Sequence, residues 1–383
     1  MKIKQVIDDF VVEELLDLNS LDSKNVEEGR KYHYFIFTKK NYSQMKALHK
    51  IANIFGVSGK NIHFAGTKDK YGITRQYLSI FGVKESNLDK NIEFFNSNIQ
   101  DMNLDYLGVY PRRLNLGDNQ GNRFKIVVRD LSLEDIVQAR KKISLIESEG
   151  VLNFFDSQRF GYAGNSHIVG KYVLENNLEL AVFEILTSLP DKPTQDLFDF
   201  VSYVKENFDK IKSQDRKCID QGIKLAPKFL SSEKEMLSHL KNYKNDFPGA
   251  FRRVHKKLRT LYIAAYQSYV FNETIKQLKL KGKITEYKSL ELIHSDVKFD
   301  TIVQEIVENI LNKDNISIEA FKLVSMPELK PISSVRDVRI FPRNIKISSE
   351  EVDDLNEGKV KVTVSFELGS GEYATNVIKH LFQ

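Results

Sequence analysis

The β-branched and aromatic pattern that marks strands in the first third of this chain returns only at Lys359–Leu368, after a long stretch patterned for helices. A sheet begun near one end and rejoined near the other makes a discontinuous domain carrying an insertion the simplest layout. Length agrees with two cores, because 383 residues exceed the size at which one hydrophobic core usually stops growing.

Within the first third, Tyr32, Tyr34 and Ile36 alternate with other residues as in a half-buried strand. Ser43 is placed to cap a helix in which Met45, Leu48, Ile51, Ala52 and Phe55 recur at helical spacing, and Gly56 supplies its stop. Asn61–Ala65 and Thr74–Val83 read as strands on either side of the loop Gly66-Thr-Lys-Asp69-Lys-Tyr-Gly72. A third strand, Phe124–Arg129, follows the turn Leu116–Asn122, and a helix over Ser132–Ser148 comes next. Between about 172 and 311 the pattern is mainly helical, with Ser231–Leu240 and Lys256–Lys279 the clearest segments. The expected architecture is an α/β (α+β) domain with a mixed, largely antiparallel sheet over residues 1–174 and 339–383, interrupted by a mainly helical insertion over 175–338.

Several chemistries lack their signatures. Apolar runs such as Tyr34–Phe37 and Leu261–Ala265 fall far short of the roughly 20 residues that span a bilayer, and acidic Asp8 and Asp9 interrupt any leader-like start. The lone Cys218 cannot form an internal disulfide, so the reading is a cytoplasmic protein. The eight histidines show no metal-ligand spacing, and no metal is expected. Gly56-Val-Ser-Gly59-Lys60 has the wrong glycine spacing for a phosphate loop, and Gly369-Ser-Gly371 lacks the third glycine of a dinucleotide fingerprint. No nucleotide cofactor is expected.

A net charge of +5 points only weakly to a polyanionic partner, but its distribution says more. Lys39, Lys40, Lys46, His49, Lys50, Lys60, Lys68, Lys70 and Arg75 crowd one stretch, and Arg252, Arg253, His255, Lys256, Lys257 and Arg259 another. The first cluster includes the loop in which Asp69 lies between two ammonium groups. Positive neighbours favour an ionised carboxylate, and such a group can act as a nucleophile. Taken alone, Lys68-Asp69-Lys70 is equally an ordinary solvated turn.

Ala65-Gly-Thr-Lys-Asp-Lys70, continued by Thr74 and Gln76, resembles the signature A-G-x-K-D-K-x-x-x-T-x-Q of the TruD family of pseudouridine synthases. Five more segments extend the resemblance in the same order along most of the chain. Lys4 followed by Asp9-Phe10-Val11-Val12-Glu13-Glu14 is similar to the family's opening K-x-x-P-E-D-F-x-V-x-E, with Ile7 at the usual proline. Gly121-Asn122-Arg123-Phe124 matches its G-N-x-F segment. Gly150-Val-Leu-Asn153-Phe-Phe155-Asp-Ser-Gln158-Arg159-Phe-Gly161 looks like G-V-P-N-[YF]-F-G-x-Q-R-F-G, with Leu152 at the proline and Asp156 at a glycine. Ala265-Tyr-Gln-Ser-Tyr-Val-Phe-Asn272 and Leu368-Gly-Ser-Gly-Glu-Tyr-Ala-Thr375 are similar to A-Y-Q-S-x-[LV]-F-N and the closing L-P-x-G-x-Y-A-T.

This resemblance implies isomerisation of uridine to pseudouridine in RNA, with uridine 13 of tRNA the leading target, and an inserted TRUD domain in the middle of the chain. It implies that Asp69 is the catalytic carboxylate and that Lys4 holds and charge-stabilises it. The reaction needs no redox or energy cofactor. A uridine in folded RNA must leave its stack before an enzyme reaches C1′ and C5. Phe155 is the expected stacking platform, with Phe10 packed beneath, because aromatic stacking tolerates rotation of the freed base. Asn153 can donate to and accept from the uracil edge, while Gln158 and Arg159 brace the loop. The expected partner is tRNA, bound by a monomer through a basic cleft between the domains. The alternative is a non-catalytic RNA-binding or RNA-folding protein on the same scaffold.

Overall fold

A computed structural model describes residues 1–18 and 29–383. They fall into two compact units, one formed by Met1–Val151 with Ile340–Gln383 and the other by Leu152–Arg339.

The first unit is built on strands β1 (Phe10–Leu15), β2 (Tyr32–Lys40), β3 (Ile62–Phe64), β4 (Ile73–Phe81), β5 (Met102–Tyr110) and β6 (Gly121–Leu131). The returning chain adds Arg343–Ile347 and Val360–Leu368. The sheet runs Arg343–Ile347, Val360–Leu368, β6, β1, β4, β2, β5, with β3 pairing the far end of β4. β1 and β4 are parallel, with Val12 opposite Thr74, and the other neighbours on this path are antiparallel. The sheet is therefore mixed and largely antiparallel, as its sequence suggested.

Each half of the sheet has its own core. Ile126, Val128, Val364 and Phe366 pack with Ile136, Ala139 and Ile146 of α3 (Leu133–Glu149) and with Val377, Ile378 and Leu381 of the C-terminal helix Ala374–Phe382. In the other half, Phe35, Phe37, Leu78 and Ile80 meet Ala47, Leu48, Ile51 and Phe55 of α1 (Gln44–Phe55) and Phe95 of α2 (Leu88–Asn98). α3 starts with a capping box between Ser132 and Asp135. α1 ends where Gly56 turns left-handed at φ 64°, but Ser43 makes no side-chain cap bond. The place of that helix start is set by packing.

The second unit contains α4 (Ser166–Leu174), α5 (Leu178–Leu186), α6 (Gln195–Lys212), α7 (Arg216–Leu225), α8 (Ser231–Asn242), α9 (Phe247–Phe251), α10 (Lys256–Leu280) and α11 (Thr301–Lys313), with a hairpin pairing Ser289–Glu291 and Val335–Asp337. α10 is its central post. Residues on all its sides are buried, including Ile263, Ala265, Tyr266, Gln267, Phe271 and Ile275, as suits a helix enclosed by others. α4 crosses it at Gly170, where an added Cβ would lie 2.2 Å from the Tyr262 carbonyl oxygen, so only glycine fits.

The returning border lies between Arg339 and Ile340. The first border follows Val151 rather than residue 174. Segment 152–174 joins the second unit because its polar groups are tied to α10: Phe155 to Asn272 and Arg159 to Ser268.

Candidate active site

In the first unit the loop from Ala65 to Gly72 joins β3 to β4 and lies beside the end of β2 and the start of β1. Its closing glycine is obligatory. Gly72 has φ +121°, and a Cβ there would stand 2.5 Å from the Phe10 carbonyl oxygen. The Gly72 carbonyl accepts from the Asn41 N–H at 3.0 Å, and the Ala65 carbonyl from the Gly117 N–H at 2.9 Å.

Asp69 presents its carboxylate to solvent, 51% exposed, with the Lys4 ammonium 3.7 Å from Oδ2. The same ammonium sits over the Phe10 ring, 3.9 Å from its centroid. Phe10 itself is core, packed on Phe124. Lys4 adopts a left-handed φ of 57°, and the segment carrying it is pinned by buried ion pairs. Arg129 holds Asp9 at 2.9 Å and Asp353 at 2.9 Å, while Asp9 also accepts from the Val6 N–H.

Beneath the loop lies a polar layer that sequence reading did not assign. Lys39 is fully buried and its ammonium donates to the main-chain carbonyl of Asp69. Burial pulls the Lys39 pKa down to about 8, against the attraction of Asp69 and with help from Lys68. Lys68 donates to the buried Glu14 at 2.5 Å, and its N–H donates to Gln44 Oε1 at 2.6 Å. Glu14 accepts in turn from the Tyr77 N–H at 3.0 Å. The strand register puts Thr74 opposite Lys39 and Gln76 opposite Phe37. Both are buried, and Thr74 Oγ1, both amide atoms of Gln76 and Nε2 of Gln44 have no hydrogen-bond partner. The first cluster was visible in sequence only as a run of basic residues; that Lys39 points inward was signalled only by its place two residues beyond Phe37 on the apolar face of β2.

The second unit carries the other residues expected at the site. Asn272 grips the Phe155 main chain at both ends: its Oδ1 accepts from the Phe155 N–H at 2.8 Å, and its Nδ2 donates to the Phe155 carbonyl at 2.9 Å. Phe271, one residue earlier, meets the Phe155 ring edge-on at 5.6 Å. Ser268 accepts from Arg159 Nε at 2.9 Å, so Arg159 does brace this segment. Gln267 links the carbonyls of Ile293 and Ile332. The residues of the aromatic helix motif thus have separate structural tasks on one α10 face or another.

Arg336 is the second group that sequence reading missed. Its guanidinium lies 4.0 Å from the Phe155 ring centroid, and it donates to both the main-chain and side-chain oxygens of Asn153. Asn153 Nδ2 donates to the Asp337 carbonyl at 2.9 Å. Asn153 is 3% exposed and Phe155 9%, so both are largely covered by their neighbours. One lone pair and one N–H of the Asn153 amide remain beyond these bonds. Asp156, standing at the family's glycine, has φ −84° and ψ 170°, an extended conformation open to any residue. Among the described residues no three His, Cys, Asp or Glu side chains converge as a metal site, and no helix is long and apolar enough to cross a membrane.

The sequence model described as tRNA pseudouridine synthase D (TruD) matches residues 1–298 and 287–381. A Methanocaldococcus jannaschii protein named "Probable tRNA pseudouridine synthase D 2" is 32% identical, the alignment covering 100% of this chain and 92% of the relative. A Methanococcus maripaludis protein named "Probable tRNA pseudouridine synthase D 1" is 28% identical, covering 100% and 99%. The crystal structure of a Methanosarcina mazei protein named "Putative tRNA pseudouridine synthase D (TruD)" superposes with a TM-score of 0.79 at 26% identity, covering 100% of this chain and 93% of that one. Fold and sequence together define an RNA-modifying isomerase, a pseudouridine synthase. The chain belongs to the tRNA pseudouridine synthase D (TruD) family.

Proposed function

We propose that the chain converts uridine 13 of tRNA to pseudouridine, with Asp69 as the carboxylate that starts the reaction. The observation that carries this reading is the half-exposed Asp69 carboxylate on a loop braced from below, with Lys4 3.7 Å away as its counter-charge. The N1–C1′ bond of the target breaks, the freed uracil turns, and C5 bonds to C1′ while C5 gives up its proton and N1 regains one. Asp69 serves by either of two routes, attack on the nucleotide or abstraction of a ribose proton. Lys4 holds the Asp69 carboxylate and stabilises its charge, and Phe10 is the floor on which Lys4 rests.

Phe155 stacks on the extruded uracil, and Asn153 reads the base edge with the lone pair and N–H that its Arg336 and Asp337 bonds leave over. Because Arg336 lies against the Phe155 ring, entry of a base exchanges one flat π-partner for another. The exposed Lys46, Lys50, Lys60 and Lys70 of one unit and Arg252, Arg253, Lys256 and Lys257 of the other meet phosphates. The chain acts as a cytoplasmic monomer, without metal or cofactor.

The test is pseudouridine formation in an unmodified tRNA transcript, read by mass spectrometry after a tagging reaction specific for pseudouridine. Wild type is expected to give one tagged site at position 13, and Asp69→Asn none while still binding the RNA. Wild-type turnover by the Asn variant, or a tag at another position, would refute the corresponding part of the reading.

A further inference from the structure

In the second unit a cavity of about 410 Å³ opens between the segment after Arg159, the start of α8 and the start of α10. That volume falls in the range of small-ligand sites. Tyr162, Phe229 and Tyr262 give it three aromatic walls, with Val254 and Leu258 completing the apolar surface. Tyr162 and Phe229 are 61% and 64% exposed, so both rings are open to a ligand entering the cavity. Glu233 also lines the cavity. Among the described residues no group other than its own main-chain N–H is hydrogen-bonded to it, and burial raises its carboxyl pKa above the ordinary value. The rim is basic: Lys228 precedes Phe229, and His255, Lys256 and Lys257 lie exposed between the lining residues Val254 and Leu258.

We propose that this cavity is a second nucleotide-binding site, taking an unstacked guanine of the RNA substrate whose N1–H and N2–H groups donate to the Glu233 carboxylate. Aromatic walls suit any flat base, so they set affinity rather than identity. A carboxylate offers two acceptors side by side, and among the four bases only guanine presents two adjacent N–H donors to match them. Uracil offers one N–H between two carbonyls, and adenine and cytosine one amino group beside an acceptor. Guanine would also restore the hydrogen bonds Glu233 forgoes inside the protein. The basic rim fits the flanking phosphates.

Tyr262 of the cavity and Phe271, which packs on Phe155, are nine residues apart on α10, roughly 14 Å along its axis and half a turn around it, so the cavity is separate from the Phe155 face of the helix. The inference rests on the proposed RNA reaction only for the chemistry of its ligand.

Calorimetry of the full chain with GMP, IMP and AMP tests the site without any modification reaction. GMP is expected to bind about tenfold or more tighter than AMP, with IMP, which lacks the N2 amine, in between. Glu233→Gln should erase that order, and Phe229→Ala should weaken all three; neither change touches a buried apolar core. In single-turnover reactions on tRNA both variants should raise the half-saturating enzyme concentration about tenfold at an unchanged plateau rate. Undetectable GMP binding, equal binding of GMP and AMP, or a Glu233→Gln variant that keeps the preference overturns the site. GMP selectivity in a chain that leaves tRNA unmodified would sustain the site and refute the proposed reaction, whereas active variants with unmoved half-saturation would refute the site alone.

Discussion

The buried ammonium of Lys39 donates to the main-chain carbonyl of Asp69, so the residue that offers its carboxylate to solvent is fixed by its backbone from inside the protein. Side-chain reach and main-chain position at Asp69 therefore have different owners, Lys4 for the first and Lys39 for the second.

Lys39→Met should keep the fold but free the loop, lowering the single-turnover rate at saturating enzyme by about tenfold for each 1.4 kcal/mol of lost positioning. Lys39→Arg retains a donor. Because burial lowers the Lys39 pKa to about 8, the wild-type rate should show a limb near pH 8 as the ammonium loses its charge beside Asp69. Arginine stays charged through that range, so its variant should lack the limb. Identical pH profiles for wild type and Lys39→Arg would disprove this role.

Gly72→Ala puts a methyl group into the Phe10 carbonyl and an L-residue at φ +121°. We expect a loss on the order of 1–3 kcal/mol in stability, measured by urea titration, with a displaced Asp69 and much reduced activity. An Ala variant of wild-type stability and rate would mean that the loop has room the geometry denies.

Phe155→Ala should cost roughly ten- to hundredfold in single-turnover rate, corresponding to a stacking energy of about 1–3 kcal/mol felt in the transition state. Phe155→Tyr should retain much of the activity. Saturating enzyme removes differences in RNA affinity from the comparison. An Ala variant with the wild-type rate would return Phe155 to the role of a packing residue under Arg336.

Arg129→Met leaves Asp9 and Asp353 buried without their partner and should destabilise the protein by about 3–5 kcal/mol. A related pH effect follows in the wild type. Although burial opposes it, hydrogen bonds from the main-chain N–H groups of Asp130 and Leu355, from Asn356 and from Arg129 bring the Asp353 pKa down from 3.8 to about 2. A carboxyl lowered on folding contributes stability that is complete above pH 3.8 and disappears as the pH falls towards 2. Denaturant midpoints between pH 5 and 2 should fall more steeply in wild type than in Asp353→Asn.

The strands and helices with strong periodicity were legible in sequence. The helix over Gln44–Phe55, the strand ending at Leu368 and the long helix from Lys256 all lie where spacing put them. The Asp69 loop was also legible, though as chemistry only through its resemblance to a family motif. What spacing could not convey was direction. Lys39 reads as one more basic residue in a charged run, and nothing in the sequence singles out Arg336, because burial and partner choice depend on contacts distant in sequence. Arg336 reaches Asn153 across 183 residues. The break between the compact units after Val151 was hidden for the same reason: Asn272 and Ser268 tie Phe155 and Arg159 to α10, and neither periodicity nor composition marks that tie.

The strand Val360–Leu368 pairs along nearly the whole of β6 on one side and with Arg343–Ile347 on the other. On the ribosome, β6 emerges long before this partner, so its edge must wait unpaired while the whole insertion is made. An exposed edge of that length invites pairing with another chain. Synthesis therefore includes a vulnerable interval in which the helical unit can fold as a separate body but the sheet beneath Asp69 stays open. Substitutions that slow closure of this strand should lower the yield of soluble protein even where the finished fold tolerates them.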